Sequence, residues 1–161
     1  LRSERLEDLV LETLRETQLD PSLLELEVTE RVASADDARS VATLGRLRDR
    51  GVRIAVDDFG TGYSSLARLR DFPVDNVKID RTFVSSIQSS TDDSPIVDGA
   101  ISLAHAVGAI VTAEGIETPE QFRYLEAKGC EIGQGFLLGR PESPEHAERF
   151  LVRHTPVVVI A

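Results

Sequence analysis

The stretch VRIAVDDFGTGYSSL, residues 52–66, decides the fold class of this chain. Its first five residues form a nearly continuous apolar run, which is typical of a strand covered on both faces. Asp57 and Asp58 follow at once, and a loop rich in glycine and serine comes next. The pattern predicts a buried strand that carries two acidic side chains to a loop at its carboxyl end.

Helical and strand-like segments alternate on both sides of this stretch. An amphipathic helix is predicted around residues 6–14, and strands are predicted at residues 23–29, 52–56, 74–79, 109–113 and 132–138. Helix starts follow the strands at Ser34, Ser65, Ser94, Thr118 and Ser143. This alternation favours a parallel α/β sheet. A closed β/α barrel needs eight strands and about 250 residues, so we expect an incomplete TIM-like (β/α) barrel with mostly parallel strands.

Composition limits the kind of protein and its partners. Hydrophobic residues make up 41% and charged residues 29% of the 161 residues, as in an ordinary soluble globular domain. The net charge of −10 argues against binding to nucleic acid or to an anionic membrane through a basic face. Cys130 is the single cysteine, so no internal disulfide can form and a cytoplasmic location is expected. No methionine is present and Leu1 comes first, which suggests a piece of a longer protein or a processed chain.

Charged and polar side chains stand where the predicted strands end. They are Glu27 and Glu30, Asp57 and Asp58, Lys78 and Asp80, Glu114 and Glu117, and Gln134 in the fifth strand. In a β/α barrel these ends point to one rim, where active sites are built. Carboxylates gathered on one rim repel each other unless positive charge lies between them.

Two readings of this rim remain open from spacing alone. Oxygen ligands without histidine or cysteine favour hard cations such as Mg²⁺ or Mn²⁺, and Asp57 with Asp58 suits a pair of ions. Lys78 would then hold a phosphate oxygen or orient a water, with a carboxylate as general base. In the structural reading, the acids cap loops and helices or solvate strand ends, and Lys78 only pairs with them. His105 and Cys130 are both expected in the core.

Five segments resemble the motifs of EAL-type cyclic-di-GMP phosphodiesterase domains, in the order of that family. They are LELEVTE (24–30), DDFGTGYSSL (57–66), PVDNVKID (73–80), AEGIET (113–118) and GQGFLLGRP (133–141). The resemblance extends to about Phe150, so residues 1–152 are interpreted as a partial EAL domain and residues 153–161 as a tail. It implies hydrolysis of cyclic di-GMP to pGpG by two-metal catalysis with Mg²⁺ or Mn²⁺.

The resemblance also implies individual roles and partners. Metal ligands would be Glu27, Asp57, Asp58 and Glu117; catalytic groups would be Glu114 as general base, Lys78 and Gln134; Glu30 would anchor the loop at 57–66. That loop couples dimerisation to activity in the family, so a homodimer is expected. A sensory or GGDEF domain upstream in the parent protein is also expected.

Two expected motifs are absent from the sequence. The Glu-Ala-Leu motif and the metal-binding Asn of the following strand would both lie before Leu1, so we expect weak or no activity from this piece. An alternative function is a catalytically inactive receptor for cyclic di-GMP or a protein-interaction module. A third is a half-barrel that needs another segment in order to fold.

Overall fold

The fold is described by a computed structural model for residues 3–33, 37–61, 66–89 and 93–143. Seven α-helices and five strands lie within these ranges. The helices are α1 (Ser3–Thr17), α2 (Glu30–Ala33), α3 (Ala38–Asp49), α4 (Leu66–Asp71), α5 (Arg81–Val84), α6 (Pro95–Ala106) and α7 (Pro119–Ala127). The strands are β1 (Glu25–Thr29), β2 (Arg53–Phe59), β3 (Asn76–Ile79), β4 (Ile110–Glu114) and β5 (Ile132–Gln134). A short 3₁₀ turn, Pro21–Leu23, precedes β1.

All five strands run parallel, and each one pairs with the next along the chain. A doubly wound sheet reverses its strand order at a switch point. The order β1-β2-β3-β4-β5 contains no such reversal in the part of the chain that the structure describes. Consecutive parallel strands with helical connections form the wall of a β/α barrel, so the predicted α/β, TIM-like class is confirmed.

One face of the sheet packs against helices and forms the main core. Alternate residues such as Leu26, Ile54, Val77 and Val111 lie on this face because side chains of a strand point to opposite sides in turn. Ile54, Val77 and Val111 are fully buried. Burial of each such side chain contributes roughly 1.5–3 kcal/mol, which makes this apolar layer the main source of stability.

The first helix packs against the third rather than directly on the main core. Val10 and Leu14 of α1 contact Leu47 of α3 and Val52, in a second apolar cluster. The helical spacing of apolar residues in the sequence predicted this buried side of α1, and the prediction is confirmed.

Helix caps agree with the sequence in the second half of the chain and differ in the first. Thr118 and Gln121 form a reciprocal capping box at the start of α7, as their spacing predicts. Helix α3 begins at Ala38 with Asp37 as its cap, because the Asp37 carboxylate accepts a hydrogen bond from the Arg39 backbone N–H. Ser34, predicted to start this helix, lies outside the described residues.

Three further expectations had different outcomes. Strand β5 stops at Gln134 because the chain turns at once, with the N–H groups of Leu138 and Gly139 both donating to the Gly135 carbonyl. The prediction of a strand to residue 138 was therefore wrong. His105 is exposed and pairs with Glu131 at 3.0 Å, so its expected core position was also wrong. The helix predicted at Ser143 and the apolar tail lie outside the described residues.

Cys130 lies in the core as expected. The residue is fully buried, and burial raises the pKa of its thiol to about 11 although backbone hydrogen bonds oppose the change. A thiol with a raised pKa carries little thiolate near neutral pH, so Cys130 acts as a small apolar side chain. Across the described residues, every helix is too short or too polar to cross a bilayer.

Alanine substitution at two glycines should have opposite effects on stability, because one glycine is tightly packed against backbone and the other lies in an open helical position. A Cβ at Gly135 would lie 2.2 Å from the backbone N and O of Ile116, whereas a Cβ at Gly99 in α6 meets nothing within 4 Å. Gly135→Ala should lower the free energy of unfolding by about 1–3 kcal/mol through overpacking against backbone. Gly99→Ala should raise it by up to about 1 kcal/mol. Urea unfolding of both variants measures the pair; equal effects would contradict the close contact at Gly135.

Candidate active site

The sheet carries polar side chains on the face opposite its helices. Register and alternation place Glu27 of β1, Asp57 of β2, Lys78 of β3 and Glu114 of β4 on this face, near the carboxyl ends of four neighbouring strands. In β/α barrels this is the inner face, and its carboxyl end opens to the rim.

Lys78 lies at the centre of this group. Its ammonium nitrogen is 2.7 Å from Glu27 Oε1, 2.7 Å from Glu114 Oε1 and 3.3 Å from Asp57 Oδ1. Only 9% of the Lys78 side chain is exposed, although 49% of the Glu27 side chain remains in solvent. One cation therefore joins carboxylates from the three other strands at the base of an open rim.

The charge of Lys78 is stabilised by its partners. Burial alone would lower the pKa of its ammonium group, but hydrogen bonds to Glu114 and Glu27 and the nearby charge of Asp57 outweigh burial. The pKa of Lys78 is therefore raised above its ordinary value, and the group stays protonated at physiological pH.

One carboxylate oxygen of Asp57 makes no hydrogen bond. Its Oδ1 atom is shielded from solvent and accepts no hydrogen bond, even though the Lys78 ammonium lies 3.3 Å away. Three carboxylates surround one ammonium, which leaves a formal charge of −2 on this group. A buried carboxylate oxygen that accepts no hydrogen bond favours a further donor or cation beside it.

The acidic side chains have the chemistry that a hard divalent cation requires, but they are not close enough to each other to bind one. Carboxylate oxygens are the ligands that Mg²⁺ and Mn²⁺ favour, and Asp57 Oδ1 accepts no hydrogen bond. Within the described ranges, however, no three His, Cys, Asp or Glu side chains come close enough to hold an ion. The acids converge on Lys78 instead.

A bulge follows Asp57 and changes the course of β2. Val56 pairs with Val77 and Phe59 with Ile79, so β2 contains one residue more than β3 over this interval. Asp58 has a φ of 56°, a left-handed conformation that aspartate adopts more readily than most residues. Its carbonyl accepts hydrogen bonds from the N–H and the hydroxyl of Thr61. The carboxylate of Asp58 is consequently exposed at the rim.

The remaining predicted site residues lie around this group without joining it. Glu117 and Gln134 are exposed, and their side chains make no hydrogen bond or ion pair with Lys78 or its acids in the described structure. Glu30 is buried, and its Oε2 accepts a hydrogen bond of 3.0 Å from the Gly60 N–H at the start of the glycine-rich loop. Residues 62–65 of that loop lie outside the described residues. The roles of all these residues remain predictions.

A second polar layer on the same face was missed in the sequence. Asn76 donates to Glu25 Oε1 at 3.2 Å and accepts from the Thr112 hydroxyl at 3.1 Å, and Arg53 lies 3.8 Å from Glu25. The available signal was the period of two, because Glu25, Asn76 and Thr112 each stand two residues before a rim residue.

Comparisons with known proteins agree on one family. A family model described as EAL domain matches residues 1–141. The signaling protein YkoW of Bacillus subtilis is 41% identical over 151 residues, which are 94% of this chain and 19% of that protein. The cyclic di-GMP phosphodiesterase NbdA of Pseudomonas aeruginosa is 42% identical over 144 residues, 89% of this chain and 18% of that protein. The chain thus spans about a fifth of the length of these relatives.

Solved structures resemble the fold closely. The EAL domain of Mycobacterium smegmatis DcpA has a TM-score of 0.85 and 40% identity, covering 93% of this chain and 67% of that one. The PaMucR phosphodiesterase in complex with c-di-GMP has a TM-score of 0.81 and 43% identity, covering 87% and 57%. A manganese and cy-diGMP complex of Klebsiella pneumoniae BlrP1 has a TM-score of 0.73 and 34% identity, covering 83% and 34%.

Removal of the central cation tests the electrostatics of the site. Lys78→Met should lower the free energy of unfolding by roughly 1–3 kcal/mol near neutral pH, because three carboxylates lose their shared donor. The matched variant is Lys128→Met, which removes an ammonium paired with Asp98 but more exposed than Lys78, and it should change stability much less.

The pH dependence of this loss has a definite sign. A raised folded-state pKa means that the contribution of Lys78 is complete below its ordinary pKa of about 10.4 and disappears as pH rises through the folded value. The difference in urea midpoint between wild type and Lys78→Met should stay constant from about pH 6 to pH 9 and shrink only at more alkaline pH. A difference that vanished between pH 6 and 9 would contradict the raised pKa.

Proposed function

We propose that this chain, which belongs to the EAL domain family, contributes the rim that hydrolyses cyclic di-GMP to linear pGpG. The observation that supports this most is the convergence of Glu27, Asp57 and Glu114 on Lys78 at the carboxyl ends of four consecutive strands. In β/α-barrel enzymes the catalytic groups come from the ends of several different strands. The PaMucR structure with c-di-GMP, at 43% identity, supports the choice of substrate.

The reaction requires a water, a proton acceptor and positive charge near the phosphorus. Water attacks the phosphorus atom, one ester bond breaks, and the ring opens to a linear dinucleotide. Glu114 is the proposed acceptor for the proton of this water. Lys78 holds the Glu114 carboxylate in position through a 2.7 Å contact, and the charge of Lys78 is available to a phosphate oxygen or the water.

A divalent cation would supply the Lewis acidity and positive charge that an acidic rim needs when it binds a phosphodiester. We propose Asp57 as its central ligand, because Asp57 Oδ1 is buried without a hydrogen-bond donor. Glu27, Asp58 and Glu117 are the further proposed ligands, and Gln134 would help to fix the water. The manganese complex of BlrP1 supports Mn²⁺ as the ion to test first, with Mg²⁺ next.

The wider setting is also a proposal. The matched relatives are much longer than this chain, which supports a sensory or GGDEF domain elsewhere in the parent protein. We also propose a homodimer, because the buried Glu30 carboxylate accepts a hydrogen bond from Gly60 at the start of the loop that, by resemblance to the family, is expected to couple dimerisation to activity.

A second function, binding of cyclic di-GMP without turnover, is favoured by one observation. The described carboxylates form no group of three that could hold an ion, since Lys78 occupies their centre. A site in this condition could bind the dinucleotide and fail to cleave it. We rank this receptor function second, because the charge of −2 around Lys78 has no evident role in it.

Hydrolysis of cyclic di-GMP in the presence of Mn²⁺ tests the enzymatic proposal. Slow formation of pGpG is expected from this chain, because no three of the described carboxylates lie close enough together to hold an ion. Asp57→Asn should reduce the rate at least 100-fold, as expected for loss of about 2.7 kcal/mol of transition-state stabilisation. Asp71→Asn, at the exposed end of α4, is the matched control and should leave the rate unchanged.

The outcomes separate the two functions. Equal rates in wild type and Asp57→Asn would exclude the proposed role of Asp57. No pGpG from either, together with saturable binding of cyclic di-GMP to both, would select the receptor function.

Cation binding has a readout that needs no substrate. Mn²⁺ should raise the Tm of the wild-type chain in a concentration-dependent way, because a ligand that binds only the folded state stabilises it. EDTA should reverse the shift, and Asp57→Asn should remove most of it while Asp71→Asn retains it. A wild-type Tm that does not change up to millimolar Mn²⁺ would contradict the ion site.

A further inference from the structure

We infer that Asn76 is a positioning residue that keeps Glu25 away from Lys78. Glu25 is a fourth carboxylate on the inner face of the sheet, two residues before Glu27 on the same strand. It is therefore a competitor for the single ammonium group at the rim. Asn76 holds this carboxylate in a lower layer, so that Lys78 remains with Glu27, Asp57 and Glu114.

The two layers match each other strand by strand. Glu25 lies below Glu27 on β1, Asn76 below Lys78 on β3, and Thr112 below Glu114 on β4, each two residues apart and on the same face. Hydrogen bonds join the members within each layer: Asn76 with Glu25 and Thr112 below, Lys78 with its acids above. In the described structure, no hydrogen bond or ion pair joins the lower layer to Lys78.

The path of the Glu25 side chain explains why it could compete. Strand β2 lies between β1 and β3, so the 3.2 Å contact from Glu25 to Asn76 crosses β2 on its inner face. The β2 residue paired with Asn76 is Ala55, whose small side chain leaves space for this crossing. Lys78 is two positions beyond Asn76 on β3 and is therefore the next side chain on the same face, within the direction that the Glu25 carboxylate already takes.

Asparagine suits this position for chemical reasons. Its amide donates to the Glu25 carboxylate and accepts from the Thr112 hydroxyl, so both polar ends are satisfied although the residue is only 3% exposed. An aliphatic residue would leave Glu25 with Arg53 alone, at the longer distance of 3.8 Å. The Arg53 side chain is 49% exposed and its charge is screened by solvent, whereas Lys78, the next residue of β3 on this face, is 9% exposed and offers the Glu25 carboxylate a buried ammonium group.

The importance of this inference for catalysis rests on the proposed function, because the identity of the partners of Lys78 affects the reaction only if Lys78 and Glu114 take part in hydrolysis. Its test uses no substrate and no metal, so the two can fail separately. The chain contains only two lysines, Lys78 and Lys128, and a lysine-labelled sample therefore gives two side-chain Cε–Hε signals. A Lys128→Arg sample assigns them.

The experiment compares the Lys78 signal at pH 7 in four proteins. Asn76→Val should move it well beyond the spread between repeat samples, because Glu25 joins the lysine. Asn76→Val combined with Glu25→Gln should return it close to the wild-type position, since a neutral amide does not compete for the ammonium. Glu25→Gln alone is the matched control, because it removes the competing carboxylate while Asn76 stays in place; there the signal should stay close to the wild-type position.

Two results would overturn the inference. A Lys78 signal that does not respond to Asn76→Val shows that Glu25 never reaches it. A signal displaced equally with and without Glu25→Gln shows that Asn76 acts by packing alone. Thermal unfolding of the same samples identifies any variant that fails to fold, and for such a variant Asn76→Ser replaces Asn76→Val.

Discussion

The contact between the Lys78 ammonium and the carboxylates of three other strands is the constraint on which the rest of the site depends. A buried lysine would ordinarily lose its proton, and carboxylates crowded at one rim would ordinarily repel. Here the two effects compensate each other. The acids keep the lysine charged, and the charge of the lysine reduces the repulsion between the acids. The shared cation still leaves a formal excess of negative charge, and Asp57 Oδ1 is buried without a hydrogen bond.

The two faces of the sheet differ in composition. Burial of the apolar face offsets the energetic cost of the polar site on the other face. Apolar residues on the helix side, including Ile54, Val77 and Val111, supply most of the burial. The opposite face carries hydrogen-bonded polar layers, in which Asn76 and Thr112 satisfy each other while nearly excluded from water. The lower layer, which joins Glu25, Asn76 and Thr112, is hydrogen-bonded within itself and, in the described structure, makes no hydrogen bond or ion pair with Lys78.

Sequence alone predicted the parallel α/β class and the strand-end positions of Glu27, Asp57, Lys78 and Glu114, because apolar runs followed by charged residues are local signals. The capping box at Thr118 was equally local and was found where predicted. The bulge after Asp57 was not predictable, since it depends on the register of β2 against β3. Asn76 was missed because its importance comes from partners on β1 and β4, far away in sequence. The helical spacing of α6 predicted that His105 is buried. The residue instead lies at the margin of the buried face, where it is exposed and pairs with Glu131.

The extra residue at Asp58 has a consequence for how such a chain can diversify. A bulge fixes the number of residues between the last regular pair of a strand and the loop that follows it. Substitutions at these positions change chemistry while they leave the backbone path intact. The loss or gain of one residue between Val56 and Phe59 would instead turn Asp57 or Phe59 to the wrong side of the sheet. The length of this segment is therefore more tightly constrained than its composition.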